Sequence, residues 1–159
     1  MQYSGILYND MSAAPGISVT FFVQGCPIRC PNCHNPESWD FNGGKEYTDE
    51  IKIKVLDCAN KDYIKGLSIL GGEPLCPENR KLVKEIVDRL KAEIPELQVY
   101  IWTGYKYDDL LSEHDVLLLE LLKAVNTLIE GKFDMSQKDT TLNMRGSKNQ
   151  NILRFDNLQ

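Results

Sequence analysis

Stretches rich in β-branched and aromatic residues alternate with stretches of helical spacing along this chain, and the alternation limits the folds that it can adopt. Residues 17–23 are typical of a buried strand. Apolar residues then recur at helical spacing over residues 48–60, where Thr48 is a suitable N-cap. Strand patterns recur at residues 67–70, 97–102 and 125–130, and helical patterns at residues 82–90 and 107–123. This order predicts an α/β fold with a parallel sheet and right-handed crossovers.

The segments that carry unusual residues all follow predicted strands. They are residues 26–33, 71–75, 103–105 and 131–133. The carboxyl ends of parallel strands meet at one edge of a sheet, where such folds place their chemistry. We therefore expect the four segments to converge on one rim.

Length and charge exclude several classes of protein. The chain has 159 residues, fewer than the roughly 250 of a complete eight-fold barrel, so we expect a single domain over residues 1–159. The net charge of −5 comes with no basic stripe, which disfavours direct nucleic-acid binding. We find neither a secretory signal nor a long apolar stretch, so we expect a cytoplasmic protein that does not enter membranes.

Three of the five cysteines lie within eight residues, in the segment Cys26-Pro-Ile-Arg-Cys30-Pro-Asn-Cys33. Thiolates are the ligands that iron–sulfur clusters and zinc prefer. Three ligands on a cubic cluster would leave one iron free to bind another molecule. The alternative is a structural zinc site completed by His34 or a distant cysteine, but zinc motifs usually bring a second cysteine pair, and none is present.

The Cys-x₃-Cys-x₂-Cys spacing resembles the signature of the radical S-adenosylmethionine superfamily. Within it, residues 33–36 (Cys-His-Asn-Pro) resemble the branch that activates glycyl radical enzymes. Many members have an aromatic residue before the third cysteine. Asn32 departs from that pattern and resembles the activases of anaerobic ribonucleotide reductases. The resemblance implies an incomplete, open parallel β/α barrel of the radical S-adenosylmethionine type.

Two further motifs support the resemblance. Residues 71–75 (Gly-Gly-Glu-Pro-Leu) resemble the motif that receives the amino group of S-adenosylmethionine, although alone they would indicate only a tight turn. Residues 102–105 resemble a segment near the nucleoside or sulfonium end of this cofactor, although Trp102 equally suits a core position. The implied cofactor-binding residues are Asn32, Cys33, His34, Gly71, Gly72, Glu73, Pro74, Thr103 and Tyr105, and the implied metal ligands are Cys26, Cys30 and Cys33.

Residues 131–133 and 145–150 resemble the C-terminal signature of activases for anaerobic ribonucleotide reductases. By itself, the charged segment 145–150 is typical of solvated surface. Cys58 and Cys76 are typical of small buried residues, although Cys76 lies only three residues beyond Glu73.

The resemblance also implies cofactors, a partner and a reaction. The cofactors are a [4Fe-4S] cluster and S-adenosyl-L-methionine, which is cleaved to methionine and a 5′-deoxyadenosyl radical. The radical takes a hydrogen from one glycine of a large anaerobic ribonucleoside-triphosphate reductase subunit, and reduced flavodoxin or a similar donor supplies the electron. The alternatives are an activase of another glycyl radical enzyme, a small radical enzyme acting on a heterocyclic metabolite, and a non-catalytic metal-binding interaction module.

Overall fold

The computed structural model describes residues 1–155 and contains, over that part of the chain, one seven-stranded sheet and four α-helices. In chain order the elements are β1 (Gln2–Asp10), β2 (Ile17–Val23), β3 (Lys45–Glu46), α1 (Asp49–Ala59), β4 (Ile64–Gly71), α2 (Pro77–Glu93), β5 (Gln98–Thr103), α3 (Tyr107–Ser112), α4 (Val116–Ala124), β6 (Thr127–Glu130) and β7 (Asn151–Arg154). Over the same residues, every helix is too short or too polar to cross a membrane.

The strand order is β3-β1-β2-β4-β5-β6-β7. Strands β2, β4, β5 and β6 run parallel to one another, whereas β1 pairs antiparallel with β2 and β3, and β7 pairs antiparallel with β6. The α/β class is therefore confirmed, and the parallel arrangement is found in four strands of a mixed sheet. Each predicted strand and helix pattern corresponds to an element of the structure.

The sequence patterns did not predict strands β1, β3 and β7. In β1 the exposed Leu7 and Asn9 alternate with better-buried neighbours, and the pairing with β2 shifts register twice. These interruptions blur the period of two on which strand prediction depends. The outer strands β1, β3 and β7 form by antiparallel pairing with distant parts of the chain. Their own sequences therefore show little strand periodicity.

One face of the sheet packs against the helices. On β2 the side chains of Val19, Phe21 and Val23 are fully buried on this face. The ring of Phe21 lies 5.5 Å from that of Tyr3 and 5.4 Å from that of Tyr47, between centroids, which links β2 to β1 and to the chain before α1. Burying a side chain of this size contributes roughly 1.5–3 kcal/mol to stability.

The helices begin where the sequence indicates. The hydroxyl of Thr48 accepts a hydrogen bond from the backbone N–H of Ile51, which confirms Thr48 as the N-cap of α1. Pro77 opens α2, where a missing N–H costs nothing, and the helix ends two residues before Pro95. α1 thus precedes β4, and α2 connects β4 to β5.

Candidate functional site

The carboxyl ends of the four parallel strands lie at one edge of the sheet. Val23 pairs with Gly71, Ile69 with Ile101, and Thr103 with Glu130. The loops that follow these strands enclose a cleft of about 300 Å³. Residues from all four predicted segments line it, so the convergence expected from the sequence is present.

The cysteine loop is folded by two left-handed turns and held by hydrogen bonds to the chain that follows it. Arg29 has φ of +50° and Asn32 has φ of +58°, so each reverses the chain between two cysteines. The backbone N–H of Cys33 donates to the carbonyl of Cys30 at 3.1 Å, and that of Cys26 donates to Trp39 at 3.2 Å. Cys26, Cys30 and Cys33 all line the cleft.

The three thiols are half-buried and free. Burial raises the pKa of the Cys26 thiol, against hydrogen bonds from the backbone N–H groups of Arg29 and Ile28. Burial also raises the pKa of the Cys30 thiol, and a hydrogen bond from the Phe133 backbone partly opposes it. Metal binding requires the thiolate form, so binding at this loop releases protons.

The loop after β4 passes directly behind the cysteine loop. Gly71 has φ of +97°, a conformation that side chains disfavour. A Cβ on Gly72 would lie 2.2 Å from the carbonyl oxygen of Gly25, so only glycine fits there. The backbone of residue 72 therefore lies directly against Gly25, the residue that precedes Cys26.

Glu73 is buried, and its carboxylate accepts three hydrogen bonds from its own loop and from the end of β5. Its Oε1 accepts hydrogen bonds from the Leu75 N–H at 2.9 Å and the Thr103 hydroxyl at 2.7 Å, and its Oε2 accepts one from the Gly104 N–H at 2.7 Å. Burial raises the pKa of Glu73 to about 7, although these three hydrogen bonds favour the ionised form. Glu73 therefore joins the ends of β4 and β5 while lining the cleft.

Most of the predicted site residues line the cleft. Besides the cysteines, these are His34, Gly71, Gly72, Glu73 and Thr103. The exposed ring of His34 packs on Phe133 with 5.1 Å between centroids. Asn32, Pro74 and Tyr105 are close in sequence but are not among the lining residues. Tyr105 packs on the core, and burial raises its pKa to about 12.

The last loop of the chain closes one side of the cleft. Gly131, Phe133 and Gln150 line it, so the two C-terminal segments marked in the sequence contribute to the site. The indole N–H of Trp102 donates to the carbonyl of Met144 at 2.7 Å, which ties this loop to β5. Trp102 also lines the cleft and is half-buried.

Sequence reasoning missed one residue with an unusual polar group. Trp39 lines the cleft, and its indole N–H is buried without a hydrogen-bond partner among residues 1–155. A buried donor of this kind ordinarily has an acceptor. A single tryptophan in a loop usually packs against apolar neighbours. The sequence pattern therefore did not indicate a role for Trp39 in the site.

The three thiols of the cysteine loop are donors of a type that suits an iron–sulfur cluster. Among residues 1–155, no three His, Cys, Asp or Glu side chains are grouped to hold one metal ion. Zinc needs its ligands around one centre, whereas a cubane presents its thiolates to separate irons. The three soft donors and the unpartnered N–H of Trp39, which can donate to a cluster sulfide, fit an iron–sulfur cluster. His34 as a fourth zinc ligand gains no support.

The remaining cysteines lie outside the cleft lining. Cys76 is fully buried at the N-cap of α2, and its thiol donates to the carbonyl of Glu73 at 3.1 Å. Burial raises the pKa of this thiol to about 12, which favours the protonated form. Cys58 is half-buried on α1 against the core.

Comparison with known proteins covers nearly the whole chain. A family described as a 4Fe-4S single cluster domain matches residues 13–153. The anaerobic ribonucleoside-triphosphate reductase-activating protein of Vibrio cholerae is 38% identical over 157 residues, which are 98% of this chain and 99% of that protein. Proteins of the same name from Escherichia coli K12 and phage T4 are each 36% identical over 152 residues, covering 94% and 96% of this chain and 96% and 93% of those proteins. The chain therefore belongs to the 4Fe-4S single cluster domain family and, within it, to the anaerobic ribonucleoside-triphosphate reductase-activating proteins.

Proposed function

We propose that this chain is an enzyme that cleaves S-adenosylmethionine reductively at a [4Fe-4S] cluster and so generates a glycyl radical on an anaerobic ribonucleoside-triphosphate reductase. One observation carries the proposal. Three free thiols from a single loop share a cleft with the Gly-Gly-Glu loop, in a chain that matches the activating proteins almost from end to end. Cys26, Cys30 and Cys33 are the proposed cluster ligands.

When bound, the cluster would supply the one electron that splits S-adenosylmethionine into methionine and a 5′-deoxyadenosyl radical, which takes a hydrogen atom from the partner's glycine. The chain's own residues bind the cluster and S-adenosylmethionine and orient them relative to each other. Gly71 and Gly72 line the cleft beside Glu73, whose carboxylate is an acceptor of suitable charge for a ligand's amino group. Thr103 holds the carboxylate of Glu73 in place through its 2.7 Å hydrogen bond.

The partner in this proposal is the large reductase subunit, whose backbone glycine must reach the cofactor. The sheet supports such access, because its order begins at β3 and ends at β7 and thus leaves two edges. We interpret it as an incomplete, open β/α barrel of the radical S-adenosylmethionine type. A closed ring of strands in an experimental structure would exclude this interpretation.

We also propose that the chain forms one domain over residues 1–159. One core cluster that includes residues from β1 to α4 and β6 supports this. Reduced flavodoxin or a similar carrier supplies the electron. The location is cytoplasmic, because three free thiols and an oxygen-sensitive cluster require a reducing compartment.

Anaerobic reconstitution with iron and sulfide, followed by dithionite and S-adenosylmethionine, tests the reaction. We expect 5′-deoxyadenosine to form and, when the large reductase subunit is added, a glycyl doublet in the electron paramagnetic resonance spectrum. Replacing dithionite with reduced flavodoxin tests the donor.

The same assay distinguishes the alternatives. Cleavage of the cofactor without a glycyl signal would point to a small-molecule substrate or to another glycyl radical enzyme. A reconstituted protein that binds zinc but never produces 5′-deoxyadenosine would identify a metal-binding interaction module and refute the proposal.

A further inference from the structure

Asn79 lies in the first turn of α2, next to Gly25 at the start of the cysteine loop. It is 5% exposed and is not among the residues that line the cleft. Its side-chain amide donates two hydrogen bonds, to the carbonyl of Gly25 at 3.1 Å and to the carbonyl of Glu73 at 3.0 Å. Both neighbours are acceptors, so only the NH₂ group of the amide fits this position.

The two carbonyls belong to the two loops that form the proposed site. Gly25 directly precedes Cys26, the first thiol of the cysteine loop. Glu73 follows the two glycines of the second loop. The loops also contact each other directly, since the Glu73 N–H donates to the Gly25 carbonyl at 2.8 Å. Asn79 thus completes a ring of three hydrogen bonds that fixes one loop relative to the other.

A rigid element carries this amide. α2 has 17 residues, begins with Pro77 at its first turn and buries its apolar face in the core. Two loops attached to such a helix cannot shift independently while both bonds are intact. Main-chain hydrogen bonds also hold the Gly25–Cys26 peptide, from the Glu73 N–H to the Gly25 carbonyl at 2.8 Å and from the Cys26 N–H to the Trp39 carbonyl at 3.2 Å, and the Asn79 amide connects this peptide to α2.

We infer that Asn79 is a positioning residue that sets the distance and orientation between the thiolate loop and the Gly-Gly-Glu loop. This inference rests on the proposed function. When the amide is removed, the three thiols remain, but the position of the cysteine loop relative to residues 71–73 becomes less well fixed. Cluster retention should therefore survive the change, while the coupling of the cluster to a ligand held by residues 71–73 should not.

The test compares Asn79→Ala with Val87→Ala. Val87 is fully buried on the same helix and does not line the cleft, so its truncation destabilises the fold without touching either loop. We expect both variants to keep their iron after reconstitution. Titration of S-adenosylmethionine, followed by its effect on the electron paramagnetic resonance spectrum of the reduced cluster, should show affinity lowered on the order of tenfold in Asn79→Ala only.

A second readout needs no cluster. In the cluster-free protein, hydrogen exchange at the Glu73 N–H should be faster in Asn79→Ala than in Val87→Ala at matched global stability. Equal exchange and equal titrations in the two variants would overturn the inference. A wild-type protein that fails to cleave S-adenosylmethionine would instead overturn the proposed function and leave the exchange result to decide the positioning role.

Asn79→Ser provides the same comparison if Asn79→Ala does not fold, because serine keeps a hydroxyl donor. Thermal unfolding of the cluster-free proteins identifies that case. If neither variant folds, Asn79 is a residue of the folding core and the positioning role is excluded.

Discussion

The hydroxyl of Thr103 donates a 2.7 Å hydrogen bond to the buried carboxylate of Glu73, across 30 residues of chain. The bond connects the end of β5 to the loop after β4, the two segments that the sequence marks as cofactor contacts. Glu73 and Thr103 are 2% and 4% exposed, respectively, so water cannot replace the bond. A single polar pair therefore fixes one wall of the cleft.

Thr103→Val removes this donor at nearly constant volume. We expect a loss of about 1–3 kcal/mol in the free energy of unfolding, because a buried charged acceptor loses one partner. Urea denaturation of the reduced, cluster-free protein measures it. Thr141→Val is the matched control, since its hydroxyl makes a 2.6 Å bond to Asp139 at an exposed site and should change stability little. Similar losses in both variants would contradict the role of Thr103.

The pH dependence of stability should report Glu73. Burial raises its pKa to about 7, whereas an unfolded glutamate titrates near 4.5. Between these values the folded protein binds the proton more tightly, so stability decreases as pH rises through this window. Compared with Glu73→Gln, the wild type should lose stability between about pH 5 and about pH 8. A difference that stays constant with pH would show that Glu73 titrates normally.

Glu73→Gln should also weaken cofactor binding. The glutamine carries no negative charge for the ammonium of S-adenosylmethionine, and its NH₂ group opposes one of three donors that now face the carboxylate. We expect affinity, measured anaerobically by calorimetry on the reconstituted enzyme, to fall on the order of tenfold. Unchanged affinity would remove Glu73 from cofactor binding and leave it a purely structural bridge.

The cysteines should separate into two groups by iron content. Cys30→Ala removes one of three thiolates in the cleft, so the anaerobically reconstituted variant should lose the cluster and cofactor cleavage. Cys76→Ala should keep both, because Cys76 is fully buried and donates to a backbone carbonyl. Iron loss in Cys76→Ala with retention in Cys30→Ala would reverse the ligand assignment.

Local sequence patterns predicted the elements that lead to the site. The strand over residues 17–23 has the predicted bounds, and Thr48 is the N-cap as predicted. Both predictions succeed because strand propensity and helix capping depend on residues that are close in sequence. β1 was missed because its pairing with β2 shifts register and its alternation is incomplete. Asn79 was missed because a polar residue in a first helical turn is usually solvated.

The sequence alone determined that three thiols lie close together, and it predicted the order of the elements that lead to the site. Three thiolates within one short loop and the alternation of strand and helix are properties of neighbouring residues, so they need no fold to be recognised. Only the tertiary structure decided two long-range hydrogen bonds. Glu73 pairs with Thr103, which lies 30 residues further along the chain, and Asn79 pairs with Gly25, which lies 54 residues before it. Those contacts depend on the register of parallel strands and on where a helix docks, and both are set by packing across the whole chain.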